Sequence, residues 1–160
     1  MKFFRSPLSV LLIILSLSCS TNNLDEDTNT IIGNWKLISL KLEHEYDFNN
    51  DDIYSNDLFD ESDCWRNTIL IFNEDGTGIL NSGYTFSITA SGYFACYEID
   101  STVFDWTQED DIIIVDFGNL RSRYAIQGKQ LTTVTPMNEI AEMIIGPNET
   151  DNLTSVYIKQ

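Results

Sequence analysis

Short β-rich runs recur along this chain with turn signals between them, and the later connections are too short to hold helices. That feature restricts the chain to an antiparallel, all-β architecture, because parallel neighbours need crossovers of a dozen residues or more. Candidate strands are Trp35–Leu42, Thr68–Asn73, Gly76–Asn81, Thr85–Ala90 and Phe94–Ile99, followed by Thr102–Thr107, Ile112–Phe117, Ser122–Gln127, Gln130–Thr135 and Thr154–Lys159. Asn73-Glu74-Asp75-Gly76 reads as a tight hairpin turn, and Gly118-Asn119 and Gly128-Lys129 mark two more. The predicted fold is an antiparallel up-and-down β-barrel of about eight strands. A chain of 160 residues has room for one such core and not for two lobes.

Alternation supports the strands. Thr102 to Thr107 places Phe104 and Trp106 on one face and Asp105 on the other. Ile69 to Phe72 is apolar on both faces, as a strand covered on both sides would be. Residues 136–146 are ambiguous between helix and strand. Ile140, Met143 and Ile144 have helical spacing, and Gly146-Pro147 is a credible stop.

Residues 1–18 read as a signal segment. Lys2 and Arg5 precede the uncharged run Leu8–Leu17, which is too short to span about 30 Å of hydrocarbon. Ser16-Leu17-Ser18-Cys19 resembles a bacterial lipobox, with Ser16 where the usual pattern has Leu. The resemblance implies a diacylglyceryl group and a further acyl chain such as palmitate on Cys19. It also implies anchoring in the outer membrane of a Gram-negative bacterium, on either face. Residues 19–30 are polar and acidic and form a tether, leaving 31–160 as the folded domain. Loss of Lys2 and Arg5 leaves 7 basic residues against 25 acids. That balance argues against a nucleic-acid partner, since phosphate binding needs clustered Lys and Arg.

Three cysteines less the lipidated one leave Cys64 and Cys96. In an exported chain such a pair is expected as a disulfide. Closing a loop of about 33 residues contributes roughly 3–4 kcal/mol in the chain-entropy model. The spacing matches no zinc pattern.

Gly33-x-Trp35 at the start of the first long strand resembles the opening motif of lipocalins. The run Ile31 to Leu37 is similar to the lipocalin-like lipoproteins of Gram-negative bacteria. Phe72-Asn73-Glu74-Asp75-Gly76-Thr77, a later Trp106 and the closing Tyr157-Ile158-Lys159-Gln160 fit the same order. The likeness covers roughly residues 31–160. It implies that Trp35 plugs one end of the barrel under an arginine from a late strand, Arg121 or Arg123. It also implies that the barrel holds a small hydrophobic ligand.

Two candidate sites follow. Glu43 to Asp63 holds nine acids and no Lys or Arg. Asp47-x-Asn49-x-Asp51 begins like an EF-hand loop, yet the sixth position is Asp52 and the twelfth Leu58, so that motif fails. A different calcium site drawn from Asp47, Asp51 and Asp52 stays open beside a simple solvated loop across the barrel mouth. The aromatics Tyr84, Phe86, Phe94, Phe104 and Trp106 either fill the interior or line a ligand pocket. Catalysis has no support. There is no nucleophile elbow, phosphate loop or His-Glu-x-x-His, no cofactor motif, and one imidazole, His44, between two glutamates. The expectation is a non-enzymatic, membrane-anchored module that binds a small hydrophobic ligand. The alternative is an interaction subunit with a filled barrel, docking a basic protein partner through its acidic loop.

Overall fold

The computed structural model describes residues 30–82, 84–88 and 94–160, without the side chains of 84–88, 94 and 140. The expected signal segment, Cys19 and nearly all of the tether lie outside the described residues. In chain order the elements are β1 (Gly33–Tyr46), β2 (Ser55–Asp57), α1 (Leu58–Glu61), β3 (Ile69–Phe72), β4 (Thr77–Asn81), β5 (Tyr84–Ile88) and β6 (Phe94–Glu98). They continue with β7 (Thr102–Glu109), β8 (Ile112–Asp116), β9 (Arg121–Gln127), β10 (Gln130–Pro136), α2 (Asn138–Ile144) and β11 (Asn152–Lys159).

Eight strands close a ring in the order β1, β3, β4, β7, β8, β9, β10, β11, and β11 pairs antiparallel with β1 to complete it. All ten expected strands are present, but two do not serve as staves. β5 and β6 form a two-stranded sheet of their own, so β4 pairs with β7 across the insertion. Cys64 and Cys96 are disulfide-bonded, with Cα atoms 5.7 Å apart, and the bond ties this hairpin to the connection between α1 and β3.

The inward row of β1 changes phase part-way. Trp35 and Leu37 are buried at odd positions, and Leu40 and Leu42 at even ones. Between them the register slips: Leu37 opposes Tyr157 and Ser39 opposes Val156. Ile38 is left as a bulge residue, half exposed, which restores the apolar row to the core side.

The two ends of the barrel differ. Tight turns at 73–76, 110–111 and 128–129 gather with the start of β1 and the end of β11. Trp35 is fully buried there, and its indole Nε1 donates to Ile31 O at 2.6 Å. Gly33 takes φ +119°, a conformation that side-chain-bearing residues rarely adopt, which explains the glycine of the Gly-x-Trp motif. The opposite end carries the long connections: 47–68 with β2 and α1, the β5–β6 hairpin, and 137–151 with α2.

Gly78 shows how tightly the middle is packed. A Cβ there would lie 2.2 Å from the Phe104 ring and 2.6 Å from Ile71 O. Phe104 cannot yield, because Phe72 and Phe117 pack edge-on against it at 5.3 and 5.4 Å. Gly78→Ala is therefore expected to cost about 1–3 kcal/mol by overpacking. A lowered urea midpoint with an unchanged slope would register it.

Candidate functional site

Strand alternation sends Tyr124 and Ile126 of β9, Leu131 and Thr133 of β10, and Ser155 and Tyr157 of β11 into the barrel. Four of these six carry hydroxyls. Thr133 opposes Ser155 directly, and Leu131 opposes Tyr157. The rings of Tyr124 and Tyr157 meet edge-on at 6.1 Å. Tyr124, Thr133, Ser155 and Tyr157 are each at most 7% exposed, and their hydroxyls have no protein hydrogen-bond partner among the described residues, but none is sealed from solvent; the sealed side-chain atom without a partner is Thr68 Oγ1. Burial pushes the Tyr124 phenol up to about 12, and burial together with Tyr124 raises that of Tyr157 further. Both are neutral donors at physiological pH. An apolar wall bearing a few unengaged hydroxyls can bind an apolar molecule and hydrogen-bond one polar group on it.

Of the aromatic candidates, Phe104 and Trp106 both pack edge-on against Phe72, at 5.3 and 5.7 Å. Phe104 is buried in the cluster around Phe72. Trp106 is half-buried, and its Nε1 donates to Asn73 O and Thr77 O at 3.2 and 2.9 Å, pinning the β3–β4 turn. An open cleft of about 460 Å³ runs past Phe104 and Phe117 between Asp105 and Asp116. Tyr84, Phe86 and Phe94 belong to the hairpin and not to a stave of the barrel. Their side chains lie outside the described residues.

The arginine expectation is corrected. Tyr124 and Ile126 face inward, so alternation turns Arg121 and Arg123 outward, and Arg121 pairs with Asp116 at 3.1 Å. The cation at the plug is Lys159, whose Nζ lies 5.8 Å from the centroid of the Trp35 ring and donates to Thr30 O at 2.7 Å.

At the mouth, Asp151 is the organising residue. It is fully buried, and its carboxylate accepts from the backbone N–H of Glu43 (2.8 Å), His44 (3.4 Å) and Asn152 (2.7 Å). The Tyr46 hydroxyl donates to it at 2.6 Å, and His44 Nδ1 lies 3.3 Å away. The β1–β11 ladder ends at Lys41 and Thr154, so this side chain stands in for the missing strand partner. Its own carbonyl accepts from Met137 N at 2.8 Å, which fixes the start of α2. Burial opposes ionisation of Asp151, but the bonds from Tyr46, Glu43, Asn152 and His44 outweigh it and hold its pKa below the ordinary value. Glu61 plays a similar part for Phe48 and Asn49, whose N–H groups it accepts, but there burial prevails and its pKa is raised.

Two of the three acids offered for calcium, Asp47 and Asp51, accept hydrogen bonds from their own loop. Asp47 accepts from Asp51 N and Asp52 N, and Asp51 accepts from Ile53 N and Asn49 Nδ2. Among the described residues no group of three or more acids, histidines or cysteines is placed to hold a metal ion. Residues 138–144 are helical; among the described side chains of this helix Ala141 is buried, while Met143 and Ile144 are exposed. Between the acidic segment and this helix runs an open groove of about 290 Å³.

These features define a class: an antiparallel eight-stranded barrel, plugged by a tryptophan at one end and elaborated by long connections at the other. A family model described as a domain of unknown function (DUF5004) matches residues 18–115, and the chain belongs to that family. A search of the curated proteins and a search of the solved structures find no match.

Proposed function

We propose that this protein is a lipid-anchored, lipocalin-like carrier of the Gram-negative outer membrane, without catalysis, whose barrel binds a small hydrophobic molecule bearing one hydrogen-bonding group. The hydroxyl row of Tyr124, Thr133, Ser155 and Tyr157 carries this reading. Each of the four stands on the inner wall without a protein partner and without being sealed from solvent, so each is free to meet a polar group on a bound molecule. Two of the four sit on the small residues Thr133 and Ser155, where the wall takes up least volume. The plugged end supports a single mouth, and the lipobox-like Ser16-Leu17-Ser18-Cys19 supports the anchor.

Native mass spectrometry of the full-length protein, purified from its bacterial host in mild detergent, tests the proposal. The expected spectrum shows acyl mass on Cys19 and a discrete extra mass that disappears on denaturation. Tyr124→Phe combined with Tyr157→Phe is expected to leave the fold intact and reduce that extra mass. An acylated chain with no small molecule would overturn the carrier, and a chain without acyl mass would overturn the anchor.

A further inference from the structure

The groove at the mouth is a separate feature and does not depend on the barrel interior. Its floor is Tyr46 and Phe48, both buried, with ring centroids stacked at 5.0 Å. Its walls are Tyr54 on one side and Ile144 and Ile145 on the other. Tyr54 is 65% exposed and Ile145 45%, and the flanking residues Ile53 and Met143 are exposed as well. Single exposed apolar residues are unremarkable, but several bordering one groove mark a binding surface. Asp151 joins the floor to the α2 wall, since it fastens Glu43, His44 and Tyr46 on one side and Met137 at the start of α2 on the other.

Charge identifies the occupant. Glu45 and Asp47 border the groove, and neither meets a lysine or arginine among the described residues. The surrounding segment from Glu43 to Asp63 adds seven more acids and no Lys or Arg. An anionic lipid surface is repelled by such a rim, and so is a second copy of a chain carrying net charge −16. We propose that the groove docks a basic, apolar polypeptide segment of a partner protein. One aliphatic or aromatic side chain enters between Tyr54 and Ile145, and neighbouring Lys or Arg residues meet Glu45 and Asp47.

A phage-displayed random heptapeptide library, selected against the full chain at low salt, supplies the probe. Enriched sequences are expected to combine a large apolar residue with Lys or Arg. A synthetic peptide of the enriched sequence should bind at least about tenfold more weakly to Ile145→Ser and to Tyr54→Ser, because the apolar contact is lost. Glu45→Gln should weaken binding and flatten its salt dependence, while Asp75→Asn at the opposite end should leave both unchanged. The side chains replaced are exposed, and an unchanged thermal midpoint checks that each variant folds. The proposal is overturned by failure to enrich, by enriched peptides without basic residues, or by undiminished affinity in the groove variants. Self-association of the free protein that Ile145→Ser abolishes would overturn it in favour of a second copy. None of these results bears on the small molecule expected inside the barrel, so the two readings stand or fall apart.

Discussion

Trp35→Ala is expected to destabilise the barrel by about 3–5 kcal/mol, at the upper end for a single buried aromatic. Three losses coincide at this position. The fully buried indole leaves a void at the plugged end, Ile31 O loses its donor, and Lys159 loses the ring face beside which its Nζ lies. The void cannot collapse easily, because Trp35 sits where β1 is paired on both sides, to Leu70 of β3 and Lys159 of β11. Urea unfolding followed by the fluorescence of Trp65 and Trp106 measures the effect. Trp35→Phe separates the contributions, since it keeps most of the ring and removes the N–H, and it should cost less than half as much. An alanine variant with a wild-type midpoint would show that the plug is not a structural keystone.

Asp151→Ala should cost a similar amount, about 3–5 kcal/mol, for a different reason. Little volume is lost, but the N–H groups of Glu43 and His44 and the buried Tyr46 hydroxyl lose their acceptor. Asp151→Asn should be milder, since one oxygen remains, although its amide would point hydrogens at donors. The pH dependence carries a definite sign. Asp151 has a folded pKa below its ordinary 3.8, so its contribution is complete above that value and is lost as pH falls through the lower folded one. Glu61 runs the other way. Its folded pKa lies above the ordinary 4.5, so its contribution is present at low pH and is lost as pH rises through the folded value. Wild-type stability should therefore fall steeply below pH about 4, and Asp151→Ala should flatten that limb. An unaltered acid limb in the variant would assign acid unfolding to other carboxylates.

The strands were legible because a period of two is a strong signal, and the hydroxyl row follows from the same alternation once β9 and β11 are read together. Tyr124 and Ile126 share a face, as do Ser155 and Tyr157, on the two strands that flank β10. The excluded β5–β6 hairpin was not legible. Sequence neighbours are the default partners, and nothing in Thr85–Ala90 announces that β4 pairs instead with β7. Lys159 is not legible as the plug's cation, because arginine is the expected partner for an aromatic face, whereas position in the closing strand decides the matter. Asp151 was hidden by abundance: it is one acid among 25, in a polar stretch that reads as an exposed loop. Only the fold distinguishes a carboxylate that replaces a strand partner from one that meets water.

The pairing of β1 with β11 also governs how the molecule must be made. Its rungs join residues 113 to 124 positions apart, from Lys41 with Thr154 to Trp35 with Lys159. Hairpins such as β3–β4 and β8–β9 close short loops and can form early, but the ring stays an open sheet until the final strand arrives. During that interval β1 is an unpaired edge along the side that β11 will cover, the kind of edge that recruits other chains. The ring therefore closes through its most sequence-distant pairing, and a chain cut before Asn152 would keep β1 as an unpaired edge.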